Sequence, residues 1–293
     1  MGRATPPCDA MSEPGASGFT DLCVGVAVDI EFKIAASLLT GKSFSEEPYL
    51  ERNPGSAGKD VCAPLGRSQG MKICRGMFGG RRITILQSGM GAVGFAEQLA
   101  KHLTNNRYDA LIIAGLAGGL NPRLRVGNAV LYNFCYDARA TDFTCRERPG
   151  HEDVVATACD EALSGFLYGA LTRSGLSFIQ APGITAGRII TEAKEKLALG
   201  ARYGAAAVDM ETYEMLDACA RLGLPAAALR VISDEAVRDI PDFNRIYNAD
   251  GRINGWRTFA AMAARPPAAL RLLMTVRPAL QSLKATLQTA MGA

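Results

Sequence analysis

The sequence predicts an α/β protein, a single domain in three layers with a mixed, largely parallel central sheet and helices on both faces. Three observations carry this expectation. Short runs rich in Val, Ile, Leu and Ala recur as candidates for buried strands. Segments with helical spacing lie between them, and strands alternating with helices call for right-handed crossovers and mostly parallel pairing. No composition break, internal repeat or low-complexity stretch interrupts residues 22–250. The chain accordingly divides into a flexible leader at 1–20, the domain at 21–250 and a basic amphipathic helical tail at 251–293.

Taken in order, Leu22–Val28 reads as a buried first strand, followed by a helix over Ile30–Leu39 that stops at Gly41. Residues 41–72 are dense in Gly, Pro, Ser and charge and read as a surface excursion. Arg82–Gln87 is a strand ending in Ser88-Gly89-Met90-Gly91, with a helix over Ala92–Leu103. Ala110–Ala114 is a strand ending in the glycine-rich run Gly115–Gly119, and Asn128–Phe134 is another. A helix is expected over Asp153–Ser174, then a strand at Ser177–Ala181, a helix at Glu192–Tyr203 and a short strand at Ala205–Val208. Glu211–Leu222 is a helix with Met215, Leu216, Cys219 and Leu222 at core-facing spacing. Gly223 and Pro225 end it, and Ala226–Ile232 is the last strand.

The 293 residues are 48% hydrophobic and 21% charged, which excludes wholesale disorder. No apolar run reaches about 18 residues, so no spanning helix is expected. The first 20 residues lack the apolar core of a signal peptide. Eight cysteines without a CxxC pair, and two distant histidines (His102 and His151), argue against a zinc site and for reduced thiols in the cytoplasm. The net charge of +3 hides an asymmetry. Residues 251–293 carry six basic and no acidic side chains, which leaves −3 on residues 1–250.

In a sheet of this kind ligands bind at the carboxyl ends of strands. The first strand ends near Asp29 and Glu31, the second in Ser88–Gly91 and the third in Gly115–Gly119. The last two end in Asp209-Met210-Glu211 and in Arg230-Val231-Ile232-Ser233-Asp234. Glycines there let a ligand approach the backbone, which marks Gly89, Ala117 and Gly118 as candidate contacts. The Gly89-Met90-Gly91 fragment lacks the third glycine of a dinucleotide fingerprint, so NAD is not expected. Carboxylates at buried strand ends are costly without a task or a partner. Asp209 can also cap the helix that follows it, and Arg230 can serve only to neutralise acids.

These motifs, with Arg125-Val126-Gly127-Asn128, occur in an order that resembles the superfamily of purine nucleoside phosphorylases and methylthioadenosine/S-adenosylhomocysteine nucleosidases, over about Val24 to Ala236. The Gly-Leu-Ala-Gly-Gly-Leu run, Asp209–Thr212, Arg230–Glu235 and Asn248–Ile253 with the basic tail resemble, more narrowly, the hopanoid-associated phosphorylases. The resemblance implies a phosphorylase/hydrolase-like sandwich that cleaves the N-ribosidic bond of a 5′-modified adenosine and releases adenine, adenosylhopane in the narrower group. It implies catalytic roles for Asp234, Glu31, Glu211 and Arg230. Asp234 would protonate N7 with Ser233 orienting it, and burial would have to raise its pKa. Glu211 would accept from the ribose hydroxyls, with Asp209 beside it and Met210 beneath the sugar. Glu31 would activate water, and Arg230 would lie near the nucleophile or pair with Glu211. Ile189 and Ile190 would line the base pocket where nucleosidases place an aromatic residue, and ordinary core packing is the alternative for both.

The transition state is oxocarbenium-like, as in glycoside hydrolysis, so the nucleophile is either water or phosphate. No resident cofactor or metal is expected, and inorganic phosphate is the one possible co-substrate. The Gly-Asp-Pro-x-Arg loop of hexameric phosphorylases is replaced here by Val28-Asp29-Ile30-Glu31, and Ile113 and Leu116 stand where that group has an Arg and a Ser. Charge therefore favours water, although Arg139, Arg188 or Arg230 could hold phosphate. Soluble nucleosides, or mere nucleoside binding on the same fold, are the alternatives. The tail, with its apolar stripe of Leu270, Leu273, Met274, Val276 and Leu280, reads either as a helix packed on the body or a subunit, or as a peripheral contact with the inner face of a membrane. A homo-oligomer is expected, and nucleic-acid binding is not, since no aromatic stacking platform accompanies the basic residues.

Overall fold

The computed structural model describes residues 19–48, 70–87, 89, 95–139, 155–242, 244 and 262–293. Three strands form its centre: β1 (Asp21–Val26), β5 (Ala110–Gly119) and β10 (Ala226–Asp234). β1 pairs parallel with β5, and β5 pairs parallel with β10. Alternation along these strands sorts the core into two halves, because successive side chains point to opposite faces. Leu22, Val24, Ile112, Ala114, Leu229 and Val231 pack on α1 (Asp29–Ser37), α3 (Glu161–Ser174) and a long C-terminal helix, α6 (Pro266–Gly292). Cys23, Leu111, Ile113, Ala228 and Ile232 pack on α2 (Phe95–Asn105) and α5 (Thr212–Leu222). The result is the three-layer sandwich expected from the sequence. A third cluster seats α4 (Ala193–Tyr203) through Leu199 and Tyr203.

Outward from β1 lie β4 (Arg81–Gln87), β3 (Met71–Phe78) and the edge strand β2 (Thr40–Glu47). On the other side, β6 (Ala129–Ala138), β8 (Phe178–Ala186) and β9 (Ala207–Asp209) lead from β10 back to β5. The sheet therefore closes on itself there, with β9 antiparallel to β5. β7 (Ala156–Ala158) adds to β6.

Several boundaries differ from the sequence reading. The surface excursion at 41–72 contains most of β2 and the start of β3; β2 is Thr-Gly-Lys-Ser-Phe-Ser-Glu-Glu, and almost all of it faces solvent, Phe44 included. The glycine-rich run 115–119 is not a loop after β5 but the strand's own last half. Gly115 is required by close approach: a Cβ there would lie 2.6 Å from the Arg230 Nη1 and 2.8 Å from the Glu31 Oε1. The helix expected from 153 starts at Glu161, where the Asp160 carboxylate accepts from the Leu163 N–H. The tail expectation divides in two. In the last turns of α6, Ala279, Leu283, Leu287, Ala290 and Met291 are fully buried against the body. In its first turns, Leu270, Leu273 and Met274 are each about 60% exposed. The segment 249–261, with Trp256, and the leader 1–18 lie outside the described residues.

Candidate active site

The carboxyl ends of β1, β5, β9 and β10 meet around one cleft of about 250 Å³, at the small end for ligand sites (about 300–1,000 Å³). Ten of the residues singled out from the sequence line it: Glu31, Ala117, Gly118, Ile189, Ile190, Asp209, Met210, Glu211, Ser233 and Asp234. Ala27, Val28, Leu116, Arg188, Val208 and Ile240 complete the lining. Two expected contacts stand elsewhere. Gly89 donates its N–H to the Ala27 carbonyl and supports the turn after β1 rather than lining the cleft. Arg230 lies beneath the floor.

Glu31 sits in the first turn of α1, 2% exposed. Its Oε2 accepts from the Ala27 and Val28 N–H groups (2.9 and 3.1 Å), and its Oε1 from the Leu116 N–H (2.7 Å). Burial pushes its pKa up; the charge of Arg230 and the three N–H groups oppose this, and the net shift is upward.

Asp209 has no lone pair to spare. Oδ1 accepts from the Thr185 hydroxyl and the Glu211 and Thr212 N–H groups, and Oδ2 from the Tyr132 and Thr212 hydroxyls, all within 3.1 Å. The two backbone bonds cap α5, so Asp209, which lines the cleft, also holds the cleft floor in place. Arg230 donates from Nε and Nη2 to the Thr212 hydroxyl oxygen (3.0 and 2.7 Å). Its Nε lies 3.4 Å from Asp209 and its Nη2 3.7 Å from Glu211. Burial alone would lower the pKa of Arg230, but Asp209 and Glu211 outweigh that and raise it. The arginine thus orients and neutralises the acids from behind.

Asp234 ends β10. The Ser233 hydroxyl lies 2.7 Å from its Oδ1, and the Lys196 ammonium donates to its Oδ2. Lys196 comes from α4 and is fully buried. Beside the Ser233 expected from the sequence, Asp234 carries a cationic partner. Nothing in the pattern Lys194-Glu195-Lys196, ordinary for a solvated helix, distinguished the one lysine that turns inward.

The three arginines considered for phosphate all carry carboxylates. Arg139 pairs with Asp137 and Glu214, Arg188 with Glu195, and Arg230 with Asp209 and Glu211. Among the described residues no group of three or more His, Cys, Asp or Glu side chains has metal-holding geometry.

At the closed corner of a mixed sheet, carboxylates from separate strand ends converge on a small cleft. Comparison with known proteins gives the chain's family. A model described as the phosphorylase superfamily matches residues 46–264, and the chain belongs to that superfamily. It is an enzyme of the nucleosidase and nucleoside phosphorylase kind. A futalosine hydrolase of Thermus thermophilus is 31% identical over 202 residues, 66% of this chain and 82% of the relative. A 5′-methylthioadenosine/S-adenosylhomocysteine nucleosidase of Baumannia cicadellinicola is 26% identical over 56% of this chain and 73% of its own. Among solved structures, the corresponding nucleosidase of Neisseria meningitidis, in complex with methylthio-immucillin-A, superposes with a TM-score of 0.64 at 18% identity, covering 93% of this chain and 99% of its own.

Proposed function

We propose that the protein hydrolyses the N-ribosidic bond of a 5′-modified adenosine and releases adenine. One observation carries this reading: Glu31, Glu211 and Asp234, from three separate stretches, line a single cleft. Asp234 delivers a proton to N7 of the leaving base. Glu211 accepts from the ribose hydroxyls over Met210 and, with Glu31, places negative charge near the oxocarbenium ion. Glu31 takes the proton of the attacking water, and its raised pKa suits a general base. Ile189 and Ile190 supply apolar wall for the base, and Gly118 lines the cleft beside Asp234. The carboxylate partners on Arg139, Arg188 and Arg230 support water over phosphate.

The 5′ group that suits the rest of the molecule is a hopane, as in adenosylhopane of hopanoid lipid biosynthesis. Exposed Leu270, Leu273 and Met274 beside Arg277 make an amphipathic surface fit for anionic lipid, where each basic residue contributes on the order of 1 kcal/mol. Deleting residues 251–293 cannot test this, because the end of α6 belongs to the core. Leu270→Gln, Leu273→Gln and Met274→Gln together should reduce co-flotation with anionic liposomes; undiminished flotation refutes the membrane contact. Soluble substrates are the second reading, favoured by the futalosine hydrolase and nucleosidase relatives. Adenine release measured on adenosylhopane, methylthioadenosine and S-adenosylhomocysteine, and release of the base from futalosine, decides between them. The highest kcat/KM on adenosylhopane is expected, and no turnover of any of the four refutes the proposal.

A further inference from the structure

We infer that Lys196 is a positioning residue that supplies, through Asp234, the proton the departing base needs. The inference rests on the proposed adenine release and deepens it. Lys196 is 0% exposed and its ammonium has acceptors on three sides: the Asp234 Oδ2, the Arg238 carbonyl at 3.1 Å and the Glu235 carbonyl at 3.5 Å. Burying a lysine so completely is costly and needs such partners. Two of them merely tie α4 to the turn after β10. The third is the carboxylate that lines the cleft.

The hydrogen bond of this pair runs from the Lys196 nitrogen to Asp234 Oδ2, so Lys196 is its donor. Asp234 Oδ1 has the Ser233 hydroxyl for a neighbour, which leaves Oδ2 as the path from Lys196. As the C1′–N9 bond breaks, its electron pair passes to the purine. Asp234 takes a proton from Lys196 and passes it on to N7. The attacking water bonds to C1′ and gives its proton to Glu31. The enzyme is left with a neutral Lys196 and a protonated Glu31. Exchange with solvent after product release returns the proton to the lysine, and no other reactant is needed.

A purely structural Lys196 would act on folding and would not care which group departs. The test therefore compares two leaving groups in the same protein. One substrate is the adenosine compound the enzyme cleaves best; the other is 4-nitrophenyl β-D-riboside, whose phenolate leaves without a proton. For Lys196→Met, the ratio of kcat/KM on the two is independent of how much protein is folded. Loss of adenine release by about 10²-fold or more is expected, with the nitrophenyl riboside changed by less than about threefold. Lys196→Arg keeps a cation and its hydrogen bonds but holds its protons too tightly to release one, so the same loss is expected there. Parallel loss on both substrates, unchanged adenine release in Lys196→Met, or rescue by Lys196→Arg overturns the inference. Failure of the unaltered enzyme to release adenine would instead overturn the proposed function.

Discussion

Three backbone N–H groups grip the carboxylate of Glu31, and this, with its burial, gives it a titration that activity should report. A general base works only when ionised. Because burial raises the Glu31 pKa, the fraction ionised falls at a higher pH than for an ordinary glutamate, and the acid limb of kcat/KM should lie above the usual carboxylate range. The same shift opposes stability: the fold holds this proton more tightly than the unfolded chain does, so its contribution is lost as pH rises through the folded-state pKa. A pH–rate profile checks the position of the limb. Asp234→Asn should lower adenine release by about 10²-fold or more, and turnover within about threefold of the unaltered enzyme contradicts the role given to it. Arg230→Met should act on folding, by about 3–5 kcal/mol in denaturant titration, because it strands Asp209 and Glu211 without their buried cation. Glu31, Glu211 and Asp234 were legible as strand-end carboxylates, which a sheet of this order must bring together. Lys196 was not, since its burial depends on how α4 meets the turn after β10. Asp209 was half legible: its helix-capping role was visible beside the acid motif, but the hydroxyls of Tyr132 and Thr185 come from distant strands.

The buried strands announced themselves through apolar runs. β2 did not, because a solvated edge strand needs no alternation, and its charged residues Lys42, Glu46 and Glu47 discourage pairing with another chain. β5 runs on through residues 115–119, although glycines usually end strands. Here they continue one, and Gly115 makes space for Arg230 and Glu31. The long helix α6 packs on the body through its C-terminal half, one of its two sequence readings, and leaves Leu270, Leu273 and Met274 exposed in its first turns. Leu287→Ala should cost about 2–5 kcal/mol of unfolding free energy as a buried core substitution. Leu270→Gln on the exposed half should stay within about 0.5 kcal/mol of the unaltered protein. Denaturant titration of the two variants checks this division, and equal losses would contradict it.

At the scale of the molecule, the closed corner of the sheet matters more than its layers. β5 pairs with β1, β10 and β9, so three strand ends and the first turn of α1 are held at fixed distances around one cleft. Glu31 thereby reaches the same cleft as Glu211 and Asp234, which lie 180 and 203 residues further along the chain. Among the described residues no helix is long and apolar enough to cross a membrane. The central claim is that these carboxylates cut a ribose–adenine bond with water. Product analysis of a cleaved 5′-modified adenosine in phosphate-free buffer tests it most directly. Free adenine and a ribosyl product with a free anomeric hydroxyl are expected. Cleavage only when phosphate is added, with a ribose 1-phosphate formed, would contradict the account.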